Sequence, residues 1–131
     1  MRRTITGSLV FVIAASYLLQ ITVPGYEERL LLNRFYVENG EYYRMLTVAL
    51  LHGGFMHLGF NLFALHALGT PLEAYFSRGK YIALLVISLL SGSALSVLFN
   101  PSYVYSIGAS GMIFGLFGAL AIVGQRAGIE W

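Results

Sequence analysis

Four side chains able to do chemistry sit inside stretches otherwise almost free of charge: His57, Asn61, His66 and Ser110. His57 and Asn61 are four residues apart, so on a helix they share a face and both can donate hydrogen bonds toward a common point. An imidazole and a carboxamide so placed can bridge helices or serve a reacting oxygen, and the spacing leaves both readings open. Ser110 lies in Gly108-Ala109-Ser110-Gly111, after a polar turn and at the head of an apolar run. The flanking glycines leave room for a substrate backbone, and an alcohol at a helix start has unpaired amides beside it that can stabilise an oxyanion. A serine satisfied on the preceding helical turn is the other reading of the same residue.

The remaining polar residues suggest less chemistry. His66 follows His57 by nine positions, about half a turn away at roughly 100° per residue, which fits packing or a helix-end role. His52 precedes His57 by five, and no Asp or Glu completes a metal site with them. Zinc-protease motifs place two histidines four apart around a glutamate, which this segment does not, so no metal centre is expected and His52 is read as holding the outer loop. Glu73 lies near Arg78 and Lys80, as an interfacial salt bridge or helix-end anchor would. The absence of cysteine excludes disulfides, a thiolate nucleophile and a zinc-thiolate site.

The elements that must position these groups are hydrophobic spans. The chain is 57% apolar and 11% charged, and its mean hydropathy is positive. Four stretches approach the about 20 residues needed to cross hydrocarbon: Ser8–Val23, Met45–Leu68, Tyr81–Phe99 and Val104–Val123. A soluble bundle would pair each apolar stripe with a charged face, and those faces are missing. Met1-Arg2-Arg3 before an apolar run resembles a signal peptide, but the run is long and no small-x-small cleavage site follows it convincingly, so a retained first span is expected. In the second span, the part before His57 is a candidate lead-in outside the hydrocarbon.

Charge placement orients these spans. With the N-terminus on the cytoplasmic side, Arg2, Arg3, Arg78, Lys80 and Arg126 fall inside, while Arg29, Arg34 and Arg44 fall outside among four glutamates. The stretch Glu28–Val37 in the long outer loop is amphipathic and is expected to form a short interfacial helix. Gly111, Gly115 and Gly118 recur at spacings of four and three, which puts them on one face and marks the fourth span as central to close helix packing. A net charge of +2 with no basic cluster among aromatics gives no support for nucleic-acid binding.

In combination these residues resemble the rhomboid family of intramembrane serine proteases. The resemblance rests on Arg44-Met-Leu-Thr47, on Leu51-His52-Gly-Gly-Phe55-Met-His57-Leu58-Gly-Phe-Asn61, on Leu65 and Gly69-Thr-Pro-Leu-Glu73, and on Gly108-Ala-Ser110-Gly111-Met-Ile-Phe-Gly115. It covers most of residues 30–125. It implies an all-α polytopic transmembrane bundle, with residues 1–131 a partial domain supplying four spans of a six-span core. It further implies that Ser110 is the nucleophile, that His57 and Asn61 help the serine amide stabilise the oxyanion, and that Arg44 and Glu73 are structural. Two positions depart from the family pattern: Tyr43 stands where tryptophan is frequent, and Phe114 where some members carry tyrosine. Each keeps a ring.

The resemblance places the catalytic histidine on the sixth core helix, so it is expected beyond residue 131, and the 131-residue chain alone is expected to be inactive. The full-length parent would hydrolyse peptide bonds in or near transmembrane segments of other proteins, without metal or organic cofactor. Its partners would be a transmembrane protein substrate and the lipid bilayer, in the plasma membrane of a bacterium or archaeon. The alternative is a non-catalytic rhomboid-like protein that binds transmembrane clients, whose continuation would lack that histidine.

Overall fold

A computed structural model describes residues 4–126; Arg2 and Arg3, and the tail Gly128–Trp131, lie outside the described residues. Among the described residues the structure is helical, with one isolated backbone bridge between Leu32 and Ser106. The first helix, α1, runs Ile5–Thr22. Thr4 caps it by accepting the Gly7 N–H at 2.9 Å, and the chain turns extended at Val23, just before Pro24. Thr6, Ile13, Ser16 and Tyr17 of this helix are buried and Ile5, Leu9 and Val10 pack partly against the core, while Phe11, Val12, Leu18, Leu19 and Ile21 are exposed. That pattern suits a helix whose outer face meets lipid.

The expected interfacial helix at Glu28–Val37 is two helices. α2 spans Tyr26–Leu30 and α3 spans Arg34–Glu38. Between them Leu32 is extended and exchanges both backbone hydrogen bonds with Ser106, at 3.0 and 2.8 Å. Asn33 then caps α3 by accepting from Phe35, and donates across to the carbonyls of Ser102 and Val104. Tertiary pairing thus overrides an amphipathic pattern that reads as continuous.

α4 spans Arg44–Thr47 and continues as a 3-10 turn, Val48–Leu50. Arg44 is buried, yet its guanidinium donates to the Glu28 and Leu31 carbonyls at 2.8 Å each, meets Glu41 at 3.1 Å and lies over the Tyr36 ring. Those partners offset the desolvation of its charge and hold the segment between α1 and α5 closed.

α5 spans Phe55–Tyr75 and meets the Arg44–Leu50 segment at 102° across Leu51–Gly54. The expected second span therefore begins at Phe55, not Met45, and the lead-in turns away from it. α6 spans Arg78–Phe99, with Ser77 accepting from Lys80, and α7 spans Ser110–Arg126. Among the described residues, α1 and α6 can each cross a membrane by length and hydropathy, the bent Arg44–Leu50 and Phe55–Tyr75 pair counts as a third if the two helices form one span, and α7 is a shorter apolar helix of 17 residues.

α7 packs on α6 and α5, and α1 packs on α5. Small residues set the α6–α7 distance: a Cβ added to Gly92 would lie 2.9 Å from the Gly111 Cα, and Gly115 lies against Ser88. Gly118 meets nothing within 4 Å, so only two of the three expected glycines serve this packing.

At the opposite end from Ser110, Glu73 is an anchor for α1, not a partner in a salt bridge. Its carboxylate accepts from the Ile5 N–H at 2.6 Å, the Thr6 N–H at 2.9 Å and the Thr6 hydroxyl at 2.7 Å. Negative charge at a helix start meets unpaired amides and the positive end of the helix dipole. The Thr6 hydroxyl also bonds Tyr81 Oη at 2.7 Å, which joins α1, α5 and α6 at one point.

Candidate active site

Ser110 is the first residue of α7 and is exposed. It lines a cavity of about 470 Å³ with Gly108, Gly111, Phe114, Ser93 and Ser96. The chain reaches it through an extended, pinned segment: Ser106 pairs with Leu32, and the Gly108 N–H donates to the Val48 carbonyl at 2.9 Å. Gly108 has φ +115°, a conformation that L side chains avoid. A Cβ there would also lie 2.9 Å from His57 Cε1 and 3.2 Å from Nε2. Glycine at this position therefore permits both the turn into α7 and the close approach of the imidazole.

That approach brings His57, in the first turn of α5, against the backbone two residues before Ser110. The Gly53 N–H donates to His57 Nδ1 at 2.9 Å. A neutral imidazole whose Nδ1 accepts carries its proton on Nε2, and Cε1 and Nε2 form the edge of the ring that lies beside Gly108. His57 is thus arranged as a donor toward the head of α7.

Asn61 is buried one turn further along α5, and its Nδ2 donates to the His57 carbonyl at 3.0 Å. The shared face expected from the spacing is present, but the amide is turned onto its own helix. His66 is exposed further down α5, remote from the turn. His52 is fully buried, its ring centre 4.9 Å from that of His57, and neither of its ring nitrogens has a hydrogen-bond partner among the described residues.

One residue tied to the site was not marked by the sequence reading. Gln20, near the end of α1, bonds both main-chain groups of His52. A single amide near the C-terminal end of an apolar span was the available signal.

On α7, the side bearing Ser110 continues through the exposed residues Phe114, Phe117, Gly118 and Ile122, at helical spacing. The opposite side, with Met112 and Leu116, is buried.

The family model described as Rhomboid domain matches residues 39–131. The chain is similar to YdcA of Bacillus subtilis (strain 168), 37% identical over 82 residues that make up 63% of this chain and 41% of that protein. It is similar to RHOMBOID-like protein 5 of Arabidopsis thaliana, 40% identical over 109 residues, 82% of this chain and 35% of that protein. It is also similar to Rhomboid protease GluP of Bacillus subtilis (strain 168), 40% identical over 87 residues, 66% of this chain and 17% of that protein. The chain thus spans less than half the length of each of these relatives.

Proposed function

The chain belongs to the rhomboid family, and from that premise we propose that its full-length parent is an intramembrane serine protease in which Ser110 is the nucleophile. The observation that carries this reading is the His57 hydrogen bond: Nδ1 accepts from Gly53, which leaves the Nε2 proton beside the backbone that leads into Ser110. A donor held at the head of α7, next to its unpaired amides, suits an oxygen that gains negative charge.

In the proposed reaction Ser110 Oγ gives its proton to a histidine outside residues 1–131 as it attacks the scissile carbonyl carbon. The carbonyl oxygen becomes the oxyanion, which His57, Asn61 and the Ser110 amide stabilise; each such donor typically contributes roughly 3 kcal/mol. Collapse of the intermediate breaks the C–N bond, and the imidazolium returns its proton to the leaving amine. Water then loses a proton to the same imidazole, attacks the acyl-serine, and frees the carboxylic product as Ser110 regains its hydrogen.

The three histidines of this chain suit other roles. In the tautomer favoured by Gly53, the Nε2 of His57 donates and cannot serve as base. The ring nitrogens of His52 are buried, and His66 lies nine residues along α5 from His57. The exposed Ser110 side of α7 offers a further helix a surface on which to bring a base beside Oγ.

The substrate is a transmembrane segment of another protein, whose carbonyls become accessible where its helix unwinds. The N-terminus is cytoplasmic and the membrane is the plasma membrane of a bacterium or archaeon, with Arg78, Lys80 and Arg126 on the inner side.

The test is cleavage of a membrane-anchored reporter by the full-length gene product in liposomes. Wild type should cleave and Ser110→Ala should not, with both inserted equally. Equal cleavage by the two would reject Ser110 as nucleophile. No cleavage by either, with stable binding of the transmembrane segment, would favour a client-binding protein.

A further inference from the structure

A hydrogen-bonded path reaches His57 from α1, a helix that brings no side chain to the cavity around Ser110. Gln20 Nε2 donates to the His52 carbonyl at 2.7 Å, and Gln20 Oε1 accepts the His52 N–H at 2.9 Å. One side-chain amide therefore closes both main-chain groups of His52, as a neighbouring strand would. The second hydrogen of the same Nε2 goes to Glu27 Oε1 at 2.7 Å. These partners fix which way the amide points, because the flipped form would set its oxygen against the His52 carbonyl and the carboxylate.

The His52 carbonyl and the Gly53 N–H belong to a single trans peptide unit, so they lie in one plane and point in opposite directions. Holding the oxygen toward α1 aims the N–H away from it, and that N–H is the one donated to His57 Nδ1 at 2.9 Å. The bond to the oxygen also polarises the N–H and makes it a better donor. Gly53 and Gly54 give this segment wide conformational freedom, and the His52 ring finds no hydrogen bond among the described residues with which to restrain it.

We propose that Gln20 is a positioning residue for His57: through the His52–Gly53 peptide it sets the imidazole tautomer and aims Nε2 at the head of α7. The proposal rests on the reading of His57 as oxyanion donor given above. Glu27 completes it by holding the Gln20 amide in register.

The experiment uses the full-length gene product carrying Gln20→Leu, with Gln20→Met as a second variant that keeps the chain length without the amide. Nitrogen-15 spectra of labelled histidine should show His57 protonated at Nε2 in the wild type and a mixture of tautomers in either variant. With a reporter substrate, kcat should fall about tenfold with KM within about twofold, the pattern of a lost transition-state contact. In a His57→Ala background the same change should cost nothing further, because two residues acting through one contact are not additive. An unchanged His57 tautomer, or a loss that adds fully to that of His57→Ala, would overturn the proposal. Should the wild type cleave no better than Ser110→Ala, the proteolytic reading fails while the tautomer spectra still decide the role of Gln20.

Discussion

Gly92 of α6 and Gly111 of α7 meet backbone to backbone: a Cβ on either would lie within 3.2 Å of the other's Cα. In lipid, where apolar side chains gain little by leaving the solvent, such close approach supplies the dispersion that holds two helices together. Gly111 follows Ser110 directly, so the same contact sets the depth of the proposed nucleophile. Gly92→Ala should lower thermal stability by about 1–3 kcal/mol through overpacking. Gly59→Ala, whose Cβ would meet nothing within 4 Å, should be neutral or stabilising by up to about 1 kcal/mol from helix propensity. Melting curves in detergent compare the two, and equal melting temperatures would refute the packing role.

Gly108→Ala should remove cleavage while leaving the protein inserted. The added Cβ meets His57 Cε1 at 2.9 Å, and the backbone φ of +115° suits only glycine. Together strain and displacement should cost about 1–3 kcal/mol of stability, and the moved imidazole should leave the oxyanion. A fully active variant would separate His57 from the chemistry.

Glu73→Gln should loosen the start of α1. The carboxylate accepts three hydrogen bonds from Ile5 and Thr6, and an amide keeps only one accepting oxygen. The expected loss is about 1–2 kcal/mol, since the site is only partly buried and charge-assisted bonds there are partly screened. Hydrogen exchange at Ile5 and Thr6 should quicken in the variant; unchanged protection would show that the cap contributes nothing.

A serine-directed fluorophosphonate should label the full-length gene product at Ser110 and leave the 131-residue chain at the level of its Ser110→Ala control. Asn61→Ala should slow cleavage less than Ser110→Ala does, since a donor is lost while the nucleophile and its base remain. Stoichiometric labelling of the 131-residue chain would mean that one of its own histidines, or a partner chain, activates the serine.

Cysteines introduced singly at Ser77 and Asn100 flank α6 at its two ends. In intact cells an impermeant thiol reagent should reach only the one at Asn100. Equal labelling of both would reject the proposed orientation.

The sequence by itself determined the class of this protein. Long uncharged runs admit helices in a membrane and little else, and the motif from Arg44 to Gly115 carries the family. It also placed Ser110 at a helix start, because a glycine-flanked alcohol after a polar turn is a local signal. What it could not decide were relations between residues distant along the chain. The break of Glu28–Val37 into two helices depends on Leu32 finding Ser106, and the role of Glu73 on the amides of Ile5 and Thr6, more than sixty residues away. The site's inner supports share that character. Gln20 reads as one amide in an apolar helix until the Leu51–Gly54 turn folds against it. Helix formation is local and follows from composition and spacing, whereas hydrogen-bond partners buried between helices are chosen only when the packed bundle brings them within reach.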